Sequence, residues 1–178
     1  AAAGGVGLVA CQWAKSIGCI LIGTVGSNEK ANLAKENGCA YAINYNTENV
    51  VKRVNEITGG KGVPVVYDGV GKDTFQTSLS CLSLRGLFVS FGQSSGMVPD
   101  VNLHKTFNPK SLYYTRPTLM HYNATREELL ASSSALFDLM KKGKVRANLT
   151  KTYSLKDVCS AHRDLETRKT VGSIVLKP

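Results

Sequence analysis

The sequence predicts an α/β fold built on a doubly wound, parallel sheet. Short apolar runs typical of buried strands alternate with segments whose apolar residues recur at helical spacing, the order expected of strands joined by crossover helices. The chain also opens on a glycine-rich turn, Ala2–Gly7 (AAGGVG), that leads directly into the first helical segment. No buried strand precedes this turn, so we expect the first strand of the sheet to be missing and the chain to be part of a longer protein.

The opening turn has the spacing of a phosphate-binding loop. In the pattern G-x-G-x-x-G, the first glycine makes a tight turn, the second lets a diphosphate approach, and the third lets the helix pack closely. Ala2, Gly4 and Gly7 fill these positions, with alanine replacing the first glycine. Free N–H groups at the helix start favour a diphosphate. The alternative for this segment alone is a glycine-rich loop that binds nothing.

The first half of the chain predicts three helix–strand repeats. Helical spacing follows the turn and ends at Gly18. Ser27 predicts the N-cap of a second helix that ends at Gly38, and Thr47 that of a third helix that ends at Gly59. The predicted strands are Cys19–Val25, Tyr41–Tyr45 and Val63–Tyr67.

Capping signals mark the helices of the second half. Asp73 and Gln76 have capping-box spacing, as do Thr125 and Glu128, and Ser154 predicts the cap of a last helix. The predicted strands are Leu87–Phe91, an edge strand Leu112–Thr115, and a final strand Gly172–Lys177.

Composition excludes several classes of protein. The 178 residues are 43% apolar and contain no run long enough for a membrane helix, which needs about 18 apolar residues. The five cysteines are odd in number and lack C-x-x-C spacing, and the three histidines lack ligand spacing, so we expect no metal site and a reducing, cytoplasmic setting. The net charge of +9 is spread along the chain, which makes nucleic-acid binding a minor alternative.

The exit of the strand before Ser27 predicts which dinucleotide is preferred. Sites for NAD usually carry Asp or Glu about 20 residues past the glycines, bonded to the ribose 2′-hydroxyl. No carboxylate ends this strand; Gly26 and Ser27 do, Lys30 follows, and Tyr45 ends the next strand. Small residues beside a cation suit a 2′-phosphate, although Glu29 adds a nearby negative charge. The alternative is that Lys30 is an ordinary solvent-exposed lysine.

Two later loops follow the carboxyl ends of predicted strands, where open parallel sheets bind ligands. Asp68–Gly71 and Gly92–Gly96 are short and rich in small residues, so their main-chain groups can bond a ribose and a nicotinamide. Asp68 is either a catalytic acid or a structural carboxylate, and we expect the second.

Many motifs along the chain resemble one known family in the same order: AAAGGVGL, GTVGSNEK, INY, ITGGKGVPVVYDGVG, GLFVSFGQSSG, SLYYTRPTL, TREEL, YSLKD and LETR. The chain resembles the C-terminal part of the NADPH:quinone oxidoreductases, the zeta-crystallin-like branch of the zinc-independent medium-chain dehydrogenase/reductase superfamily. The resemblance implies a Rossmann-type NADP(H)-binding domain over residues 1–120 and a segment, 121–178, that returns to a GroES-like catalytic domain. It also implies a homodimer.

The resemblance further implies NADPH as the cofactor and assigns its contacts. The diphosphate falls at Gly5 and Val6, beside Gly4 and Gly7. The pocket for the 2′-phosphate corresponds to Gly26, Ser27, Lys30, Tyr45 and Arg168. The nicotinamide side corresponds to Gly69, Phe91, Gly92, Gln93 and Ser94.

The implied activity is reduction of a quinone or another small electrophilic acceptor by NADPH. No residue of this chain is assigned as a catalytic acid or base. Two alternatives stay open: reduction of an activated C=C bond in an enone, and a cofactor-binding module without turnover.

Overall fold

Every strand pairing in the structure is parallel, which confirms the predicted α/β class. The computed structural model describes all residues from 1 to 178. The helices are α1 (Gly5–Ser16), α2 (Asn28–Glu36), α3 (Val50–Thr58), α4 (Phe75–Cys81), α5 (Leu103–Phe107), α6 (Leu119–Tyr122), α7 (Arg126–Lys141) and α8 (Val158–Glu166). The strands are β1 (Ile22–Val25), β2 (Tyr41–Asn44), β3 (Val63–Asp68), β4 (Leu82–Ser90), β5 (Tyr113–Thr115), β6 (Leu149–Ser154) and β7 (Ser173–Lys177).

The chain divides into two units, which we name by content. The turn unit consists of Ala1–Glu48 and Ser133–Pro178, and the loop unit consists of Asn49–Ser132. Helix α7 crosses the division between them. No helix in the structure combines the length and apolar character needed to cross a membrane.

In the turn unit, the residues before α1 pack into a small apolar core. Ala2, Ala3 and Cys11 are buried together with residues of β1, α2 and the loop after α2. Strand β1 pairs with β2, and β6 pairs with β7. The core therefore holds the glycine turn against the end of β1.

In the loop unit, β4 is the central strand of the order β3-β4-β5. Phe88 of β4 is fully buried and contacts Phe75 of α4 edge to face, with ring centroids 5.4 Å apart. Its other face stacks on Tyr114 of β5. The carboxyl ends of β3 and β4 are in register, since Asp68 pairs with Ser90.

The structure corrects three predicted caps. Asn49, not Thr47, caps α3, because its side-chain oxygen accepts a hydrogen bond from the Lys52 N–H at 2.9 Å. The capping box predicted at Asp73 and Gln76 does not cap α4, which starts two residues later at Phe75. The cap predicted at Ser154 serves only a short 3-10 turn ahead of α8.

The capping box of Thr125 and Glu128 forms as predicted. The Thr125 N–H donates to the Glu128 carboxylate at 2.9 Å, and the Glu128 N–H donates to the Thr125 hydroxyl at 3.2 Å. Both bonds join residues three positions apart, so the signal is contained in the local sequence.

The strand predictions differ from the structure where strand side chains are exposed to solvent. The predicted strand VPVVY forms as β3, but Val65 and Tyr67, which point to the same face of the sheet, are exposed, Tyr67 to 73%. Strand β6 was not predicted, because its mostly exposed, polar residues lack an apolar run. Leu112–Thr115 is confirmed as an edge strand, observed as β5.

Candidate functional site

The glycine turn at the start of α1 has the features of an anion site. Gly4 is the N-cap residue, no side chain caps the helix, and no acidic residue lies in its first turn. The Ala2 N–H donates to the Thr24 carbonyl of β1 at 3.0 Å, which fixes the turn beside the strand end. The turn therefore presents helix N–H groups without a competing carboxylate.

Gly7 and Gly4 differ in how much space surrounds the position that a Cβ would take. A Cβ on Gly7 would lie 2.7 Å from the backbone carbon of Ala2, so the fold itself requires glycine there. A Cβ on Gly4 would meet only the Ala1 carbonyl oxygen, at 3.6 Å. Glycine at position 4 thus leaves room that the chain does not use, which fits the approach of a diphosphate.

The C-terminal strand joins this turn, which sequence reasoning missed. The Gly172 N–H donates to the Ala3 carbonyl at 2.9 Å, and Gly172 pairs with Gly4 as a parallel bridge. The Ser173 hydroxyl oxygen lies 2.7 Å from the position a Cβ on Gly5 would take. No local signal predicts this contact, because the partners lie at opposite ends of the sequence.

The residues predicted to bind a 2′-phosphate come together in the turn unit. The Ser27 hydroxyl accepts the Lys30 N–H at 3.3 Å and so caps α2, as predicted. The Lys30 ammonium donates to the backbone carbonyl of Arg168 at 2.6 Å, which places the residue known only from the resemblance beside the predicted cation. We call the set Gly26, Ser27, Lys30, Tyr45 and Arg168 the cationic corner.

Within this corner Tyr45 covers Gly26, and Glu29 lies beside the corner. The Tyr45 hydroxyl lies 2.7 Å from where a Cβ on Gly26 would be, so the phenol covers the glycine. Asn46 donates its side-chain amide to the Gly26 carbonyl at 2.7 Å. The Ser27 hydroxyl hydrogen-bonds the exposed Glu29 carboxylate, and this bond lowers the pKa of Glu29. A negative charge therefore lies next to the corner.

Arg168 has an unusual backbone. Its φ is 59°, in the left-handed region, just past the end of α8. A residue with a side chain pays about 1–2 kcal/mol in this conformation, and glycine is the usual choice. A large cationic side chain at such a position points to a role beyond helix termination.

The loops at the carboxyl ends of β3 and β4 are joined main chain to main chain in the loop unit. We call residues 69–71 the first loop and 91–96 the second loop. The Ser94 N–H donates to the Gly69 carbonyl at 3.3 Å, and the Ser95 N–H donates to the Val70 carbonyl at 2.8 Å. A Cβ on Gly92 would lie 2.6 Å from the Gly69 carbonyl oxygen, so the loops approach too closely for any other residue.

The side chains of these loops carry no charge near the predicted nicotinamide contacts. The Phe91 ring lies 2.8 Å from where a Cβ on Gly69 would be, and Phe91 is 44% exposed. Gln93 turns the second loop, since its carbonyl accepts the Gly96 N–H at 2.9 Å. Predicted contacts Gly69, Phe91, Gly92, Gln93 and Ser94 therefore form one surface of small and neutral groups; their contact with a cofactor stays a prediction.

Asp68 is the buried carboxylate before the first loop. It is 5% exposed and accepts hydrogen bonds from the N–H groups of Val70 and Gly71 and from the hydroxyls of Thr74 and Ser78. Burial by itself raises the pKa of Asp68, but these hydrogen bonds together outweigh it and lower the pKa. Every donor belongs to the chain, as expected for a structural carboxylate.

Comparison with known proteins identifies the family. The family model described as zinc-binding dehydrogenase matches residues 5–140. The chain belongs to the zinc-binding dehydrogenase family. A quinone oxidoreductase of Pseudomonas aeruginosa is 53% identical over 178 residues, a match that covers 100% of this chain and 55% of that protein.

Two further known proteins are similar to this chain. The crystal structure of Escherichia coli quinone oxidoreductase complexed with NADPH has a TM-score of 0.95 and 54% identity, and the match covers 100% of this chain and 55% of that one. A 2-haloacrylate reductase from Burkholderia sp is 44% identical over 179 residues, covering 100% of this chain and 54% of that protein. The resemblance to quinone oxidoreductases and the Rossmann-type fold are thereby confirmed, and the chain spans about half the length of these relatives.

Zinc does not fit the residues of this chain, despite the family's name. No group of three or more His, Cys, Asp or Glu side chains is placed to hold a metal ion. The surface cavity beside Lys151 and Asp164, about 230 Å³, contains none of the residues predicted to bind a cofactor.

Proposed function

We propose that the full protein reduces a quinone with NADPH, and that this chain supplies the cofactor-binding part. The observation that carries the proposal is the cationic corner: Tyr45 covers Gly26, Ser27 caps the helix that carries Lys30, Lys30 bonds the Arg168 carbonyl, and no carboxylate lies at the tip of β1. A 2′-phosphate suits such a corner, whereas a 2′-hydroxyl would bring no negative charge to its cations.

The glycine turn and the cationic corner suit different phosphate groups of NADPH. The N-terminal turn of α1, with its unfilled space at Gly4, suits the diphosphate. Lys30 uses one of its three N–H groups on the Arg168 carbonyl and keeps two for an anion. In the loop unit, the first and second loops carry only small or uncharged residues, which suit a nicotinamide ring and its amide.

When bound, NADPH supplies the hydride or electrons, so the protein's task is chiefly positioning and electrostatics. The Asp68 carboxylate is not free to act as an acid or base in this chemistry, because donors of its own chain engage it. The names of two relatives, both quinone oxidoreductases, support a quinone as the acceptor.

A second candidate is reduction of an activated C=C bond. The similarity to a 2-haloacrylate reductase at 44% identity favours it, because that relative aligns with the whole of this chain. A third candidate, a cofactor-binding module without turnover, is separated from both by the presence or absence of activity.

One assay on the purified full-length protein tests these candidates. NADPH oxidation is followed with 1,4-benzoquinone, with 2-chloroacrylate and with no acceptor, and each series is repeated with NADH. We expect quinone-dependent oxidation with NADPH well above that with NADH. Oxidation with 2-chloroacrylate alone would establish the second candidate, and tight NADPH binding without any turnover would establish the third.

We also propose a homodimer that works in the cytoplasm. Strand β5 is a sheet edge whose Tyr113 is 63% exposed, and such an edge offers unpaired N–H and C=O groups to a second copy. All five cysteines are free, which suits a reducing compartment. Sedimentation of the full-length protein should give the mass of a dimer, and Tyr113→Lys should shift it towards monomer.

A further inference from the structure

Asp68 is a buried charge without a cation. Its carboxylate is 5% exposed, and every hydrogen bond it accepts comes from a neutral donor. Taking a carboxylate out of water is costly, and a group kept in such a place requires compensation by hydrogen bonds in good geometry. The placement of those bonds indicates what the residue does.

The two carboxylate oxygens share the Thr74 hydroxyl, which lies 2.9 Å from Oδ1 and 2.7 Å from Oδ2, and otherwise have different partners. Oδ1 accepts the Val70 N–H at 2.8 Å and the Gly71 N–H at 3.0 Å, which fixes the main chain of the first loop. Oδ2 accepts the Thr74 hydroxyl at 2.7 Å and the Ser78 hydroxyl at 2.6 Å, at the beginning of α4. The side chain thus ties the first loop to the helix that follows it.

The main chain of the same residue fixes the second loop. The Asp68 carbonyl accepts the Phe91 N–H at 2.9 Å and the Gly92 N–H at 3.3 Å. Carbonyls of Gly69 and Val70, which the carboxylate helps to orient, accept N–H groups further along the second loop. A change in the conformation of the first loop therefore moves the second.

We propose that Asp68 is a positioning residue that sets the two loops in the arrangement needed to hold the nicotinamide, while leaving the binding of the adenosine phosphates to other residues. This inference rests on the proposed function. Asp68 does not act as an acid or base, because its oxygens are filled by donors of the chain itself.

The test compares two ligands of the full-length protein. NADPH carries a nicotinamide, whereas 2′,5′-ADP carries the 2′-phosphate but no nicotinamide. For Asp68→Ala we expect the Kd of NADPH to rise about 10-fold, the loss expected for buried hydrogen bonds to a charged group, and the Kd of 2′,5′-ADP to change less than about two-fold. Turnover at saturating NADPH should also fall.

Asp68→Asn is the conservative variant and should recover most of the loss. Its amide oxygen can still accept the N–H groups of Val70 and Gly71, and the hydroxyls of Thr74 and Ser78 can rotate to accept from the amide nitrogen. Asn102→Ala is the matched control, because it removes a cap bond to Lys105 of α5 in the same unit and should change neither Kd.

Amide hydrogen exchange provides a readout that is independent of ligands. In Asp68→Ala the Phe91 and Gly92 amides should exchange faster, and in Asn102→Ala they should not. Equal weakening of both ligands, no weakening of either, or unchanged exchange at both amides would overturn the proposal. A wild-type protein that binds no NADPH would instead refute the proposed function, and exchange alone would then decide the role of Asp68. Loss of a pH limb of kcat in Asp68→Asn would show an acid–base role and overturn it as well.

Discussion

The cationic corner of the turn unit and the paired loops of the loop unit are two candidate binding regions that use different chemistry. The corner relies on side chains: the cations of Lys30 and Arg168 and the hydroxyls of Ser27 and Tyr45. The loops rely on the main chain, with Gly92 pressed against Gly69 and hydrogen bonds between their backbones. Substitutions in the corner should therefore change which dinucleotide is preferred, whereas substitutions in the loops should change how well a bound cofactor reacts.

The two parts also tolerate change differently. Removing an exposed charge alters an electrostatic attraction that water and salt already weaken. Adding one carbon between two packed backbones forces one of them to move. We accordingly expect the largest effects in the loops, although they contain no charged contact residue.

Gly92→Ala should have the largest effect. The new Cβ would lie 2.6 Å from the Gly69 carbonyl oxygen and 2.9 Å from the Gly69 Cα, both parts of the backbone. Forced overpacking costs about 1–3 kcal/mol, so we expect kcat/KM with NADPH to fall about 10- to 100-fold. Steady-state kinetics on the full-length variant measure this loss.

Gly59→Ala is the control for Gly92→Ala. Gly59 has a φ of 60° and open space around it, so the variant should lose about 1 kcal/mol of stability through backbone strain but keep its activity. If Gly92→Ala retains wild-type kinetics, the close approach of the loops does not matter for catalysis.

Lys30→Ala should discriminate between the two cofactors. The ammonium lies at the corner and donates to the Arg168 carbonyl, and a hydrogen bond to a charged group contributes about 1.5–3 kcal/mol. We expect the Kd of NADPH to rise about 10-fold and that of NADH to remain within about two-fold. Titration of both dinucleotides against the variant gives the two values.

Lys35→Ala provides the matched control for that comparison. Lys35 is an exposed lysine in the last turn of the same helix, so the change in net charge is identical while the corner stays intact. An equal loss of NADPH and NADH affinity in Lys30→Ala would contradict the proposal that the corner binds the 2′-phosphate.

The local parts of the fold were predictable because their signals lie within a few residues. Ser27 and the Thr125–Glu128 pair cap their helices as predicted, since both partners of each bond are neighbours in sequence. Thr47 was wrong and Asn49 right because both residues lie shortly before the helix and both are favoured at the N-cap. Strand β6 was missed because its pairing with β7 depends on distant residues and leaves most of its side chains exposed.

The placement of the candidate residues within each unit was predictable where they lie at strand ends. Gly26, Ser27 and Tyr45 follow β1 and β2, which pair in parallel, and the two loops follow β3 and β4, which also pair in parallel, so each pair of strands brings its own ends together. The contact of Ser173 with Gly5 and the bond from Lys30 to Arg168 join opposite ends of the chain, and no spacing rule encodes them. Arg168 was placed by resemblance alone.

Arg168→Gly should separate binding from stability. Glycine relieves the left-handed strain at a φ of 59°, so we expect the free energy of unfolding to rise by about 1 kcal/mol. Loss of the guanidinium should weaken NADPH about three- to five-fold without a comparable effect on NADH. Thermal unfolding and cofactor titration on one sample measure both changes.

Ser111→Gly is the matched control for the strain. Ser111 has a φ of 50° in the loop unit, so this variant should be stabilised similarly and bind NADPH as wild type does. If Arg168→Gly keeps full NADPH affinity, the strained backbone serves helix termination and the arginine does not belong to the corner.

Glu29→Gln should give the smallest effect and the opposite sign. The Glu29 carboxylate is hydrogen-bonded to Ser27, stays ionised because that bond lowers its pKa, and repels a 2′-phosphate at the corner. Since Glu29 is exposed, we expect NADPH to bind only about two-fold more tightly at low salt, and the gain to vanish at high salt.

Glu36→Gln, at the other end of α2, makes the same change in charge away from the corner and should have no effect. NADPH affinity that falls in Glu29→Gln would mean that the carboxylate helps to order Ser27 more than it repels the phosphate, and the corner would then depend on hydrogen-bond geometry as the loops do.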